Sequence, residues 1–588
     1  MRWTKVAALA TVGAFSLAAC GGSPGGNASK ATGSSSTAKA SGGNVAFDAT
    51  AKGPAPDIAG AKKGGTLTAY ESTPPAANGF DPSANYYSDT AAILSQLVTR
   101  SLTTYRVQDG KSVLVPDLAT NLGTTSADGL TWTFKLKPGQ KYSNGKPIMA
   151  ADYVYAVKRS FAQGSVAASG PTYVETYLKG GDTYKGPFTG PQNFQGVTAP
   201  DNSTVVFHLA KKWPTLPYYV SFSQVSPIPQ ALDTKAQYGN NPVATGPYMF
   251  DKYTSGSELT LKKNPYWVAT SDPARHQYVN AYDFKFTATD ATNQAAVLGS
   301  NGAYATSINF SAGGVDVTQL AKVQGNNKSQ LVTGGSPCEY FANMDTRKIP
   351  LAVRKAYAVA YPFDQMRKAA GETTLSFKPA TTLAPPQLPG FKSYGVGLPG
   401  LTGQGNGDPV KAKAMLKAAG KLGFQITYYT STDNPKAVAS SGAKAAALTT
   451  AGFTVKPVGV SKTQLRTLLS KANAPVNTGQ GPAGWCYDWP SGDSVYPPIF
   501  GSAAVASGTA VGDLQNKALD AQMAKISGMP IAQAAAAWSA LDKQILTQDL
   551  PAVPTDYIQT NFVIGKQVHN AVVDANRGEP DFSQMWVG

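Results

Sequence analysis

The segment from residue 408 to 460 constrains the fold more than any other part of the sequence, because helix and strand patterns alternate along it. Asp408 followed by proline is typical of a helix N-cap, and the helix it begins ends near Gly420. Residues 424–428 alternate as a strand, a second helix runs to about residue 450, and residues 453–455 begin another strand. This order predicts two parallel strands joined by a right-handed crossover, and so an α/β fold in at least the second half of the chain.

Four earlier segments have equally readable patterns. Residues 66–70 are rich in β-branched and aromatic side chains and predict the first strand of the folded body. Apolar residues at helical spacing predict a helix over 89–102. Residues 131–137 alternate strictly as a strand, and a helix is expected from about Ala150.

Length and composition exclude several classes of protein. A chain of 588 residues is expected to form two to four domains. No apolar run of 18 or more residues follows the N-terminus, which excludes an integral membrane protein. The net charge is +16, but the basic residues are scattered along the chain and no nucleic-acid motif occurs, so no nucleic-acid partner is expected.

Motifs for catalysis and for metal binding are missing from the sequence. The histidines, His208, His276 and His569, are far apart, and no Cys-x-x-Cys or His-x-x-x-His pair occurs, so we expect no zinc or iron site and no cofactor. The nucleophile motif Gly-x-Ser-x-Gly and the phosphate-binding motif of P-loop enzymes are also absent. The sequence therefore favours a protein that is not an enzyme.

The N-terminus carries an export signal. Arg2 and Lys5 precede a short apolar stretch that ends in Leu-Ala-Ala-Cys20. This pattern resembles the bacterial lipobox, which implies a signal peptide over 1–19 and a diacylglyceryl group on Cys20; the alternative is an ordinary signal peptide with an incidental cysteine. Residues 21–60 contain 9 Gly, 9 Ala and 6 Ser, and predict a flexible tether over 20–60. We therefore expect a lipid-anchored protein on the extracytoplasmic face of the bacterial cell membrane.

Two cysteines remain once Cys20 carries lipid. Exported proteins form disulfides, and Cys338 and Cys486 most simply pair with each other. The alternative is two buried free thiols.

The whole chain from residue 64 onward resembles the cluster-5 solute-binding proteins of ABC importers, the peptide- and nickel-binding group, and most of all their oligopeptide-binding members. The most specific match is a Pro-x-Leu-Ala segment followed by an Asp-Gly strand, a Ser-Asn-Gly-Lys-Pro turn and an Ala-x-Asp helix start, at residues 116–119, 128–136, 142–147 and 151–152. Further matching segments lie at residues 244–248, 264–267, 343–356, 408–420 and 551–554. Met149 stands where the family usually has Thr, and 362–364 replace the family's Ile-Asp-Arg.

The resemblance implies an α/β, two-lobed periplasmic-binding-protein-like fold with an extra domain, of type II and cluster C. The expected boundaries are residues 61–82, 214–336 and 556–588 for lobe I, 83–213 for the extra domain, and 337–555 for lobe II. Ligand would be enclosed between the lobes by hinge closure.

The segment Gly484-Trp485-Cys486-Tyr487-Asp488-Trp489 resembles the Gly-Trp-Cys-Ala-Asp-Tyr strand of oligopeptide binders. The resemblance implies that the strand's backbone pairs with an extended peptide and that Asp488 pairs with the peptide's α-ammonium, because a buried ammonium needs a compensating carboxylate. It also implies the bridge Cys338–Cys486. The candidate ligand-binding residues are Ala483, Gly484, Trp485, Cys486, Tyr487, Asp488 and Trp489, with Tyr70, Glu71 and Ser72 expected across the cleft.

The expected function is that of a monomeric, lipid-anchored receptor that captures oligopeptides and delivers them to the permease subunits of an ABC transporter. Within the family, binding of a nickel chelate or an oligosaccharide is the alternative, although few histidines and the Trp-Cys-x-Asp segment favour peptide. An extracellular lipoprotein enzyme acting on cell-wall peptides and a signalling receptor without a transport role are the alternatives from other classes.

Overall fold

The computed structural model describes residues 45–588, apart from residues 77, 109, 169, 191–192, 287, 312, 394–399, 462–463, 466–467, 469–473 and 480–482. The predicted signal peptide, Cys20 and the predicted tether as far as residue 44 lie outside the described residues. Within the described residues, no helix is both long enough and apolar enough to cross a membrane.

Both strands and helices occur along most of the described chain. The described strands are β1 (Val45–Phe47), β2 (Thr66–Tyr70), β3 (Thr103–Gln108), β4 (Lys111–Pro116), β5 (Thr124–Thr125), β6 (Thr131–Lys135), β7 (Val197–Asp201), β8 (Thr204–His208), β9 (Tyr248–Thr254), β10 (Glu258–Lys263), β11 (Ala281–Lys285), β12 (Ser307–Asn309), β13 (Leu331–Asn343), β14 (Phe377–Pro379), β15 (Gln425–Ser431), β16 (Thr454–Val460), β17 (Ala483–Cys486), β18 (Ala552–Ile564), β19 (Val568–His569), β20 (Val573–Asp574), β21 (Glu579–Pro580) and β22 (Trp586–Val587). The described α-helices are α1 (Ser88–Ile93), α2 (Ala150–Arg159), α3 (Tyr173–Tyr177), α4 (Leu216–Tyr219), α5 (Asp290–Gly299), α6 (Leu320–Gln324), α7 (Leu351–Ala360), α8 (Phe363–Ala370), α9 (Pro409–Ala418), α10 (Pro435–Thr450), α11 (Tyr496–Phe500), α12 (Ser502–Ser507), α13 (Lys517–Ser527) and α14 (Ile531–Gln544).

The strand–helix–strand prediction for residues 408–460 is confirmed. Asp408 accepts a hydrogen bond from the backbone N–H of Lys411 at the start of α9, and Gly420 follows the helix with φ +63°. Strands β15 and β16 pair in parallel, and α10 connects them. The local pattern is sufficient for this segment because each helix begins at its own side-chain cap, at Asp408 for α9 and at Asn434 for α10.

The earlier predictions are confirmed with shorter limits. The helix expected over 89–102 forms as α1 and a π-helical turn that ends at Val98, since the chain becomes extended at Thr99. Helix α2 begins at Ala150 as expected. Although Met149 carries no capping oxygen, its backbone N–H donates to the Asp152 carboxylate at 2.9 Å, so the helix start keeps half of a capping box.

The main sheet contains nine described strands in the order β17-β13-β18-β12-β2-β11-β10-β9, with β14 also paired to β18. Its two longest strands, β13 and β18, are antiparallel along most of their length, with register shifts near Gly335 and Tyr340. The predicted boundaries at 336/337 and 555/556 fall inside these two strands. Both strands run from one hydrophobic core into another.

Three large hydrophobic cores lie around this sheet. Core A is formed from residues between 67 and 98, 244 and 310, and 562 and 587; core B from residues between 102 and 225 with Trp489; and core C from residues between 341 and 553. Residues 92–98, which the expected boundaries assign to the extra domain, pack with the lobe I pieces. Residues 216–225, which those boundaries assign to lobe I, pack with the extra domain. The domain boundaries remain proposals.

The last part of the expected tether differs from a flexible chain. Strand β1 pairs in parallel with β4, and Ala51 packs beside Val113 and Val115. Ala55 is buried, and a side chain on Gly53 would meet the backbone of Asp272 at 2.7 Å. The apolar residues of 45–55 make this contact. The sequence prediction missed them because the segment 21–60 has, on average, the composition of a linker.

Candidate ligand-binding site

Strand β17 lies at the end of the main sheet, where it pairs with one neighbour. Its register on β13 sets Cys486 opposite Cys338, Trp485 opposite Glu339 and Gly484 opposite Tyr340. Within the described residues, the other edge of β17 has no strand partner. Its backbone N–H and C=O groups are therefore available to an added strand.

The disulfide Cys338–Cys486 is present, as predicted. It ties β17 to β13 across a sequence separation of 148 residues. In the loop-entropy model, closing a loop of this length stabilises the fold by about 5 kcal/mol.

A cavity of about 400 Å³, which we call cavity 1, opens beside β17. Its wall is formed by residues 85–88, Ala91, Ser95, Tyr105, residues 221–223, Pro337, residues 484–488 and residues 576–577. These segments are far apart in sequence and meet only in the fold. The predicted residues Gly484, Trp485, Cys486, Tyr487 and Asp488 all line this cavity. Ala483 lies in β17, next to them.

Asp488 is the most informative group in the wall of cavity 1. Its side chain faces the cavity with a minor part of its surface exposed there, and the surrounding protein shields the rest from solvent. Its Oδ2 accepts hydrogen bonds from the hydroxyl groups of Tyr86, at 2.7 Å, and of Tyr173. Burial raises the pKa of Asp488 to about 6, and the two tyrosine hydrogen bonds offset only part of this effect. None of the groups that shift this pKa is a cation, so among the described residues no positive charge balances the carboxylate.

The aromatic residues of the segment have different positions. The indole N–H of Trp485 donates to the Ser494 carbonyl at 2.8 Å, and the ring lines the cavity. Trp489 is fully buried in core B, where its ring lies 4.4 Å from that of Tyr173 and its N–H donates to Asp493. Trp489 thus supports the site from behind and does not line cavity 1.

Tyr70, Glu71 and Ser72 do not line cavity 1. Tyr70 stacks on Tyr304, and Ser72 donates to Asp290. Glu71 is buried, and burial raises its pKa to about 8. The wall opposite β17 comes instead from Tyr86, Tyr87 and Ser88, which follow the turn at Phe80-Asp81-Pro82.

A second cavity of about 850 Å³, cavity 2, adjoins the first. The side chains of Tyr86 and Trp485 belong to both walls. Lys211 and Lys212 lie on one side of cavity 2, and residues 497–528 form much of the other. The two cavities together provide room beyond that of a single small ligand.

Comparison with known proteins identifies the family. Residues 113–507 match the model of the bacterial extracellular solute-binding proteins, family 5. The glutathione-binding protein GsiB of Escherichia coli O1:K1 is 26% identical over 358 residues, which cover 59% of this chain and 62% of GsiB. The oligopeptide-binding protein OppA of Bacillus subtilis is 29% identical over 151 residues, or 24% of this chain and 27% of OppA. The chain therefore aligns with about three-fifths of the length of the GsiB relatives.

Solved structures show the same fold. The clavulanic acid biosynthesis oligopeptide binding protein 2 superposes with a TM-score of 0.79 at 23% identity, covering 90% of this chain and 96% of that one. The periplasmic binding protein DppA from Helicobacter pylori, in complex with the peptide STSA, gives a TM-score of 0.67 at 18% identity, covering 90% and 98%. The predicted α/β, periplasmic-binding-protein-like fold is confirmed. The chain belongs to the family 5 bacterial extracellular solute-binding proteins.

Proposed function

We propose that this protein captures peptides between its lobes and delivers them to the membrane permease of an ABC importer, without chemical conversion of the ligand. Cys20 would carry the lipid that holds the protein, as a monomer, at the extracytoplasmic face of the membrane. The relatives GsiB and OppA are named for glutathione and oligopeptides, both peptidic ligands.

The observation that carries this proposal is the state of Asp488. A desolvated carboxylate with two neutral donors and no cation among its described neighbours is costly, and an ammonium group brought to it removes that cost. A peptide has one α-ammonium at its first residue. Asp488 would therefore fix the position of the peptide's N-terminus in cavity 1.

The edge of β17 supports the same ligand. A peptide in extended conformation would pair with the free backbone groups of this strand whatever its side chains are. Trp485, at the junction of the two cavities, would contact the peptide as it passes from cavity 1 toward cavity 2. Backbone pairing and a fixed ammonium give affinity, and roomy cavities accept different side chains.

The test uses the chain without residues 1–20, purified and analysed by native mass spectrometry for retained ligand. It is then stripped and titrated with a library of dipeptides to pentapeptides. We expect peptide to be retained, and we expect Asp488→Asn to weaken binding at least about tenfold, since the pairing of a charged group is worth about 1.5–3 kcal/mol.

Asp542→Asn is the matched control. Asp542 is also buried, its pKa is raised to about 8, and it accepts a hydrogen bond from the Tyr496 hydroxyl, but it lines neither cavity 1 nor cavity 2. Equal binding by the wild type and Asp488→Asn, or no retained and no bound peptide, would overturn the proposal.

A further inference from the structure

Cavity 1 contains a cluster of buried polar atoms that make no hydrogen bond of normal geometry within the described protein. They are Tyr105 Oη, Ser223 Oγ, Tyr487 Oη and Asn576 Oδ1. Each of the four residues is more than nine-tenths buried. Unpaired buried polar groups are rare and costly, so four in one cavity wall point to a ligand that satisfies them.

A cation lies beside this cluster. Arg577 is in the wall of cavity 1, and its guanidinium lies 5.4 Å from the centre of the Tyr105 ring. Its Nη1 donates to the Asp574 carboxylate, which holds the guanidinium in place. Among the described residues, Nε and Nη2 of Arg577 make no hydrogen bond to protein, so one side of the guanidinium remains for a ligand.

Hydrogen-bond donors dominate the cluster. The hydroxyl groups of Tyr105, Ser223 and Tyr487 and the guanidinium of Arg577 donate, whereas the unpaired atom of Asn576 is its Oδ1, which accepts a hydrogen bond. Desolvation keeps the tyrosine hydroxyls protonated, because burial raises the pKa of both Tyr105 and Tyr487. Donors that converge with a guanidinium are suited to a negatively charged oxygen.

We infer that Tyr105, Tyr487 and Arg577, with Ser223, form a subsite for a carboxylate of the ligand. This inference rests on the proposed function, and it specifies the ligand further. Asp488 and this oxyanion subsite lie in the wall of the same cavity. A ligand that satisfies both is a short zwitterion, with an ammonium and a carboxylate a few residues apart.

The experiment compares two forms of one probe, a library of dipeptides to pentapeptides with free C-terminal carboxylates and the same library with C-terminal amides. Binding to the chain without residues 1–20 is measured by calorimetry. We expect the free-acid library to bind at least about tenfold more tightly than the amidated one, since hydrogen bonds to a charged group are about twice as strong as neutral ones.

The variant Tyr105→Phe/Tyr487→Phe should lose most of this preference. It removes only two unpaired hydroxyl groups, so the melting temperature should stay the same or rise. Tyr184→Phe is the matched control, because it removes an unpaired buried hydroxyl that lies outside cavity 1, beside Phe161 and Phe194. It should leave the preference unchanged.

Three results would overturn the inference. Equal affinity of the wild type for free-acid and amidated peptides removes the carboxylate subsite but leaves peptide capture intact. A preference that survives in Tyr105→Phe/Tyr487→Phe places the carboxylate elsewhere. Absence of binding by either library overturns the subsite together with the proposed function.

Discussion

Replacing Asp488 with asparagine should stabilise the ligand-free protein at neutral pH. Burial raises the pKa of this carboxyl from 3.8 to about 6, so the folded state disfavours the charged form. At pH 7 the wild type is ionised in both the folded and the unfolded state. A shift of about two pKa units at about 1.36 kcal/mol each then corresponds to a loss of about 3 kcal/mol of stability. Asparagine is neutral and avoids this loss.

The sign and the pH window follow from the direction of the shift. Because the pKa of Asp488 is raised in the folded state, protonation of this carboxyl contributes to the free energy of unfolding. The contribution is complete below pH 3.8 and disappears as the pH rises through 6. The melting temperature of Asp488→Asn minus that of the wild type should therefore be small at pH 4, where the difference in stability is below about 1 kcal/mol. It should grow with pH and become constant above about pH 6.

Differential scanning calorimetry from pH 4 to pH 9 checks this profile. The Asp542→Asn variant provides the comparison, since the pKa of Asp542 is raised to about 8 and its difference profile should continue to rise for about two further pH units. A difference for Asp488→Asn that does not change with pH, or that falls as pH rises, would show that the carboxylate does not occupy a desolvated, uncompensated position in the folded protein.

Three other predictions can be checked on the same protein. Peptide affinity should fall about tenfold from pH 7 to pH 5, because only ionised Asp488, with a pKa of about 6, attracts an ammonium. Calorimetric titration at the two pH values measures the affinity, and equal affinities would contradict this prediction. Replacing Cys338 and Cys486 together by serine should reduce stability by about 5 kcal/mol, visible as a lower melting temperature, and free thiols at both positions in non-reducing peptide maps would refute the bridge. The chain that lacks residues 21–60 should have a lower melting temperature than the chain that lacks residues 21–44, because β1 then no longer pairs with β4. Equal melting temperatures of the two truncated chains would contradict this packing.

Local patterns explain what the sequence could predict of the fold. The helix cap at Asp408, the alternation in residues 424–428 and the helix start at Ala150 depend on neighbours within one element. Composition over a long window was less reliable: the Gly-, Ala- and Ser-rich segment 21–60 includes β1, a short strand whose pairing depends on β4, which is distant in sequence.

The candidate site was predictable only on the side of β17. The segment 484–488 carries a recognisable pattern, and all of its residues line cavity 1. The opposite wall has no such pattern, since Tyr86 reaches Asp488 across 402 residues of sequence and Arg577 comes from the C-terminal region. The adjacent tyrosines Tyr86 and Tyr87 are visible in the sequence, but the structure is needed to show that both side chains are partly exposed, as large aromatic groups at binding surfaces often are.

Calorimetric titration of free and N-acetylated peptides tests the central claim most directly. The probe is the same library of dipeptides to pentapeptides, with and without an acetyl group on its amino terminus, added to the wild type and to Asp488→Asn at pH 7. The claim predicts that acetylation weakens binding to the wild type at least about tenfold and has little further effect on Asp488→Asn, because both changes remove the same ion pair. Acetylated peptides that bind the wild type as tightly as free ones would contradict the assignment of Asp488 to the peptide's ammonium.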